Sequence, residues 1–372
     1  MRNFITSLLL LLVTTTQVVI ADDIIDGNFG PGAIYRMVRP TNWNGSLILY
    51  AHGYTSSDLP VALPTEGDAL INALAPQGFA IAFTSFSENG WAVKEGSQQT
   101  LQLLGLFTSK FGQANKVYLS GGSMGGLITI KLVEQHPNAF VGSLALCPVA
   151  GGSRQLFNYY GNTRALFDYF YPGVLPGNAG DVSQNINLSN DIALPALAAI
   201  QSDPSGALAL ANVTQTPIPF ANELELVESV VTALVSNAES YQGLSPQIHD
   251  QPFFDNQNVV YSSAILPPPL LTTINASIGR YSASPSALAY LDHYYEPNGE
   301  LTIPMVVLYT SRDPRVPGFN QSSYLDRVTE AGHLDMLVQH SIDRFGHCAF
   351  TPEEIINAFS DMILWVEYGI KP

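Results

Sequence analysis

Residues 117–136, VYLSGGSMGGLITIKLVEQH, constrain the fold of this chain more than any other stretch. A short β-branched and aromatic run at 117–119 ends in glycines, and a helical pattern begins at Met124. The turn, Gly121-Gly122-Ser123-Met124-Gly125-Gly126, contains G-x-S-x-G with Ser123 at its centre. A serine on a sharp strand-to-helix turn is the form of a nucleophile elbow. Glycines on either side let neighbouring backbones approach where a Cβ would collide. The first N–H groups of a helix have no intrahelical partner and can stabilise an oxyanion. Glycine is 30 of 372 residues, so the bare pattern also arises by chance; its place between a strand and a helix gives it weight.

The chain around this turn alternates strands and helices. Residues 31–40 read as an early strand, and 46–51 (SLILYA) as a buried one running into His52-Gly53-Tyr54. A helix is expected within 64–76, a buried strand at 79–83, a loop with Trp91 at its tip, and a helix over 98–111. After the helix at 124–136, residues 140–147 form another apolar strand. Continuous apolar strands between helices predict an α/β fold, a mostly parallel sheet covered on both faces. The alternation stops at Ala150-Gly151-Gly152. From there to about residue 300 the segment is rich in Asn, Pro, Ala and aromatics, with helical stripes over 193–211 and 222–241 and a proline connector at 267–269. It reads as a mainly helical cap. The core pattern resumes with a strand at 302–310, and a helix over 352–366 closes the chain. The expected division is 1–21, 22–150 (core), 151–300 (cap insertion) and 301–372 (core).

The first 21 residues are expected to be a signal peptide. Arg2 supplies the positive end, residues 8–13 the apolar run, and Val19-Ile20-Ala21 the short residues before cleavage. An uncleaved anchor is the alternative. No later segment is apolar enough to span a bilayer. The net charge of −16 makes nucleic acid and anionic membranes poor partners. Five N-x-S/T sequons, at Asn44, Asn187, Asn212, Asn275 and Asn320, matter only in a eukaryotic secretory pathway.

Three residues fall in a telling order: Ser123 after one strand, Asp313 after another, and His347 in a late loop before the last helix. A serine hydroxyl is a weak nucleophile at neutral pH. A histidine can take its proton, and a carboxylate can hold the imidazole tautomer and stabilise its charged form. His333 and His340 compete for the base, and Asp326, Asp335 and Asp343 for the acid. His340 sits in an apparent strand, whereas His347 follows a glycine and precedes a helix. There is no H-E-x-x-H and the two cysteines are not clustered, so no metal and no cofactor is expected.

The blocks AHGY, NGWAVKEG, SGGSMGGL, LCPVAGG, SRDPRVP and FGHCAFTPEE resemble a group of mostly secreted microbial serine hydrolases of the α/β-hydrolase superfamily. The resemblance covers the two core segments and is weak across the insertion. It implies the α/β-hydrolase fold, a triad of Ser123, Asp313 and His347, and an oxyanion hole from the backbone N–H groups of Tyr54 and Met124. The H-G before Tyr54 is otherwise an ordinary strand-to-loop turn. Gly122 stands where many relatives carry histidine, which still fits the elbow. In that fold Cys147 ends a strand next to the His347 loop, so the resemblance also implies a Cys147–Cys348 disulfide; two buried free thiols are the alternative.

The function expected is a secreted serine hydrolase acting on small-molecule or polymer carboxylic esters through an acyl-enzyme. Trp91, Tyr159 and Tyr160 are candidates to line its pocket, or else form the cap's own core. A serine exopeptidase of the same fold is the main alternative, with Glu223, Glu225 and Glu228 as candidate ligands for a substrate ammonium. A non-catalytic binding protein is a minor one.

Overall fold

A computed structural model describes residues 23–183, 185–216 and 220–372; the expected signal peptide lies outside them. The described strands are β1 (Asp23–Phe29), β2 (Ala33–Arg39), β3 (Ser46–Ala51), β4 (Ala80–Thr84), β5 (Lys116–Gly122), β6 (Gly142–Leu146), β7 (Met305–Arg312) and β8 (Leu337–Phe345). They form one sheet in the order β1-β2-β4-β3-β5-β6-β7-β8. The β1–β2 and β2–β4 pairs are antiparallel, and every pair from β4 to β8 is parallel. This is the α/β-hydrolase fold.

Alternation along each strand divides the core between two faces. Ile48 and Tyr50 of β3 join Tyr118, Leu144 and Val306 under α1 (Thr65–Leu74) and α11 (Pro352–Tyr368). Leu47, Leu49 and Ala51 face the other way, toward α2 (Val93–Phe111), α3 (Met124–Gln135) and α10 (Phe319–Glu330). The α2 helix starts five residues before the expected 98, because Val93 is fully buried and opens its apolar face.

Between β6 and β7 lie α4 (Ser153–Phe170), α5 (Leu194–Ser202), α6 (Pro204–Thr214), α7 (Glu223–Leu244), α8 (Pro268–Ser277) and α9 (Pro285–Tyr295). The expected stripe over 193–211 divides at Pro204, where a new helix starts: Asp203 accepts a hydrogen bond from the Ser205 N–H, and proline takes the first turn, where its missing N–H costs nothing. The expected connector at 267–269 is likewise the entry to α8, not a rigid spacer. The insertion is not a separate globule. Phe157, Leu166, Leu210 and Leu234 belong to the same buried cluster as the α2 and α3 face.

The two ends of the insertion are tied together. Glu134 of α3 accepts from the Asn298 and Gly299 N–H groups at 2.9 and 2.8 Å. Arg327 of α10 donates to the carbonyls of Gly151 and Pro297. Glu296 accepts from the Arg154 N–H, and its burial pushes its carboxyl up to about 7. Among the sequons, Asn320 is fully buried, and the Asn275 side chain is bonded to Tyr261 and Leu271.

Candidate active site

The turn between β5 and α3 explains its own glycines. Ser123 sits at φ 56°, ψ −117°, a strained conformation for a residue with a Cβ. Its N–H donates to the Leu146 carbonyl, and its own carbonyl accepts from Gly126 and Leu127. A Cβ on Gly121 would lie 2.2 Å from the Gly125 carbonyl oxygen, and one on Gly125 would lie 2.0 Å from the Ala51 carbonyl oxygen. The two glycines of G-x-S-x-G are therefore required by close backbone approach. Gly122 is not: a Cβ there meets nothing nearer than 3.6 Å.

The structure brings together the three residues singled out by their order. Asp313 follows β7 and is 1% exposed; its Oδ1 accepts from the Arg315 and Val316 N–H groups, both at 2.9 Å. Its Oδ2 lies 2.7 Å from His347 Nδ1. His347 Nε2 lies 2.8 Å from Ser123 Oγ. The loop bearing His347 is held from both sides. Gly346 N–H donates to Arg312, and its carbonyl accepts from Thr310 Oγ1. Arg344 binds Glu354, which closes a capping box with Thr351 at the start of α11.

Three of the five competing groups face partners elsewhere. His333 faces Glu300, His340 faces Asp361, and Asp343 pairs with Arg312. The His52-Gly53-Tyr54 turn packs against the elbow: a Cβ on Gly53 would lie 3.5 Å from Ser123 Cβ. The His52 ring stacks on Phe86 at 4.0 Å, with Nδ1 2.7 Å from the Gly53 carbonyl, and burial pushes its pKa down. Met124 is the first residue of α3, so its N–H has no intrahelical acceptor.

Two spaces open beside Ser123. On the side of the insertion, a chamber of about 20 Å³ is lined by Trp91, Leu156 and Tyr160 together with Tyr54, Glu239 and Arg315. Trp91 donates from Nε1 to Ser153 Oγ, and the Tyr160 hydroxyl donates to the Arg315 carbonyl. Tyr159 lines neither space; it packs on Phe319 of α10, its hydroxyl 3.4 Å from Thr216 Oγ1. On the other side a cleft of about 710 Å³ runs between α1 and the start of α11, reaching His347 and Gly122. That is the size of a small-molecule site.

Glu239 of α7 and Arg315 border both spaces and pair at 2.6 Å. The acidic candidates read from the sequence, Glu223, Glu225 and Glu228, lie nearer the start of that helix and line neither space. Glu223 and Glu228 are exposed, and Glu225 accepts from the Ala221 N–H and Arg312. Glu239 lies eleven residues after Glu228, on the same helical stripe, so the spacing to a known acidic position was the one available signal.

Cys147 and Cys348 form a disulfide, with Cα atoms 5.3 Å apart and 201 residues between them in sequence. Cys348 Sγ lies 3.6 Å from His347 Nε2. Replacing both cysteines by serine is expected to cost stability. Closing so long a loop contributes at most about 5 kcal/mol in the chain-entropy model, so Tm should fall by about 5–15 °C. Any hydrolytic turnover should fall with it at temperatures well below the new Tm, because the His347 loop loses its tether. A double variant with wild-type melting and turnover would show the bridge to be idle.

No family model matches the chain, and no curated protein matches it in sequence. Solved structures resemble it in shape. Feruloyl esterase B from Aspergillus oryzae is 15% identical with a TM-score of 0.48, over 94% of this chain and 80% of that one. A proline iminopeptidase from Mycobacterium smegmatis is 14% identical with a TM-score of 0.45, over 91% and 97%. The 2-hydroxy-6-oxo-6-phenylhexa-2,4-dienoate hydrolase of Rhodococcus sp. strain RHA1 is 16% identical with a TM-score of 0.42, over 92% and 98%. Identities and scores this low say nothing of what this chain acts on. Its fold and site define an α/β-hydrolase-fold protein with a serine, a histidine and an aspartate in hydrogen-bonded series.

Proposed function

We propose that this chain is a secreted serine hydrolase of carboxylic esters. The observation that carries the reading is the unbroken series Ser123 Oγ–His347 Nε2 at 2.8 Å and His347 Nδ1–Asp313 Oδ2 at 2.7 Å. In this reading His347 takes the Ser123 proton as the hydroxyl attacks the ester carbonyl. The tetrahedral oxyanion is held by the Tyr54 and Met124 N–H groups. The protonated His347 then donates to the departing alkoxide, leaving an acyl-enzyme. Water, deprotonated by His347, attacks the acyl carbonyl and releases the acid and Ser123. Asp313 keeps the Nδ1 proton oriented throughout and stabilises the imidazolium.

Ester over peptide is supported by the walls of the larger cleft. Ala69, Leu70, Ala73, Leu146, Phe350, Ile355 and Ile356 make it mostly apolar, which suits an acyl chain. One observation favours the peptidase: Glu239 of the insertion borders both spaces, where it could hold a substrate ammonium. Its pairing with Arg315 already satisfies that carboxylate, which weighs against the role. Secretion is supported by the signal-like residues 1–21 and the disulfide.

The test uses the chain from Asp22 onward. A fluorophosphonate probe should label it once, on Ser123 by peptide mapping, and p-nitrophenyl esters should be turned over in preference to aminoacyl-p-nitroanilides. Faster anilide than ester turnover would establish the peptidase instead. No labelling and no turnover of either substrate would remove the catalytic reading and leave the binding-protein one.

A further inference from the structure

The larger cleft is mostly apolar, but Glu66, Glu239 and Arg315 border it and its floor carries a further polar group. Tyr50 of β3 lies there, 6% exposed, on the same face of the sheet as Gly122. Its hydroxyl makes no hydrogen bond to any described residue. Three other buried tyrosines are partnered: Tyr118 donates to Glu367, Tyr160 to the Arg315 carbonyl and Tyr324 to Glu134. The hydroxyl opens onto the cleft, so a group lying there can reach it. Phenylalanine would give the same apolar floor without that atom. Burial also holds the phenol proton on well above its usual range, so the group is an O–H donor at any working pH.

Its position says what the donor can meet. A Cβ on Gly122 would stand 3.6 Å from the Tyr50 hydroxyl oxygen, so the glycine leaves that oxygen uncovered. Gly122 directly precedes Ser123, and adjacent Cα atoms are about 3.8 Å apart. The hydroxyl therefore borders the cleft beside the residue that precedes Ser123, where an acyl chain would lie in the ester reading. We infer that Tyr50 is a specificity-determining residue that donates a hydrogen bond to an oxygen in the acyl chain. The preferred substrates are then esters whose acyl group is otherwise apolar and carries an ether or hydroxyl oxygen one or two carbons from the scissile carbonyl. This rests on the ester reading above.

Three p-nitrophenyl esters of equal chain length test it: pentanoate, ethoxyacetate and 3-methoxypropanoate. Each is assayed with the wild-type chain and with Tyr50→Phe, and the ratio of kcat/KM between the two proteins cancels the intrinsic reactivity of each ester. Tyr50→Phe should lower kcat/KM about tenfold for at least one of the two oxygenated esters, the loss of one hydrogen bond, and leave pentanoate within about twofold. Equal ratios for all three esters overturn the inference while leaving the ester reading intact, as does an unfolded Tyr50→Phe, since an unpartnered hydroxyl should be dispensable for folding. A wild-type chain that turns over none of the three and takes no fluorophosphonate at Ser123 overturns both.

Discussion

Asp313→Asn should fold normally and lose about 10⁴-fold in kcat on esters, the scale of a wrong-tautomer defect. The reason lies in the two oxygens of Asp313. Oδ1 accepts two backbone N–H groups, from Arg315 and Val316, and cannot be replaced there by an amide NH₂. The asparagine carbonyl must therefore take that side, and its NH₂ must face His347 Nδ1. Nδ1 then accepts, the ring proton moves to Nε2, and Nε2 donates to Ser123 Oγ where it should take the proton. Unchanged Tm with kcat reduced at neutral pH is the expected pair of measurements. A variant retaining a tenth of the activity would show that Asp313 does not set the tautomer.

Gly125→Ala should be the most destructive single methyl in the chain. The added carbon would lie 2.0 Å from the Ala51 carbonyl oxygen and 2.6 Å from that of His52. Both are backbone atoms at the end of the central strand β3, so α3 must move off the sheet. The cost is about 3 kcal/mol or more, and the shift also displaces the Tyr54 turn from Ser123. Gly122→Ala, one position before the serine, should stay within about 1 kcal/mol of wild type, because it meets ordinary contact distances and needs no left-handed backbone. Thermal melts of the two variants side by side decide the matter; similar Tm values for both would contradict the close-approach account.

The core of the site was legible because each part carries its own local signal. Ser123 stands in a glycine turn, Asp313 ends an apolar strand, and His347 precedes a proline-led helix. Strands β3, β4, β6 and β7 read as largely apolar runs because both their faces are covered. What escaped notice depends on contacts that no window contains. β1 is a half-exposed edge strand, DIIDGNF, whose Asp, Gly and Asn are poor strand formers and which is held by pairing with β2. α10 buries only Asn320, Gln321, Tyr324 and Val328, too few apolar positions to form a helical stripe. The larger cleft has its walls on α1 and α11, near opposite ends of the chain, so Tyr50 gives no sign in sequence that it lies on a cavity floor. Trp91 and Tyr160 reach the chamber beside Ser123 whereas Tyr159 does not, because successive residues of α4 point in different directions.

The disulfide has a topological effect as well as an energetic one. Joining Cys147 to Cys348 turns the intervening chain, with every helix of the insertion, β7 and Asp313, into a closed covalent ring. A single cut anywhere in that ring opens it without dividing the molecule. The piece bearing Ser123 and the piece bearing His347 remain one compound, anchored within a few ångströms of the atoms that must meet. A proteolytically exposed outer surface could thus be nicked in the insertion while its nucleophile and base stay in register.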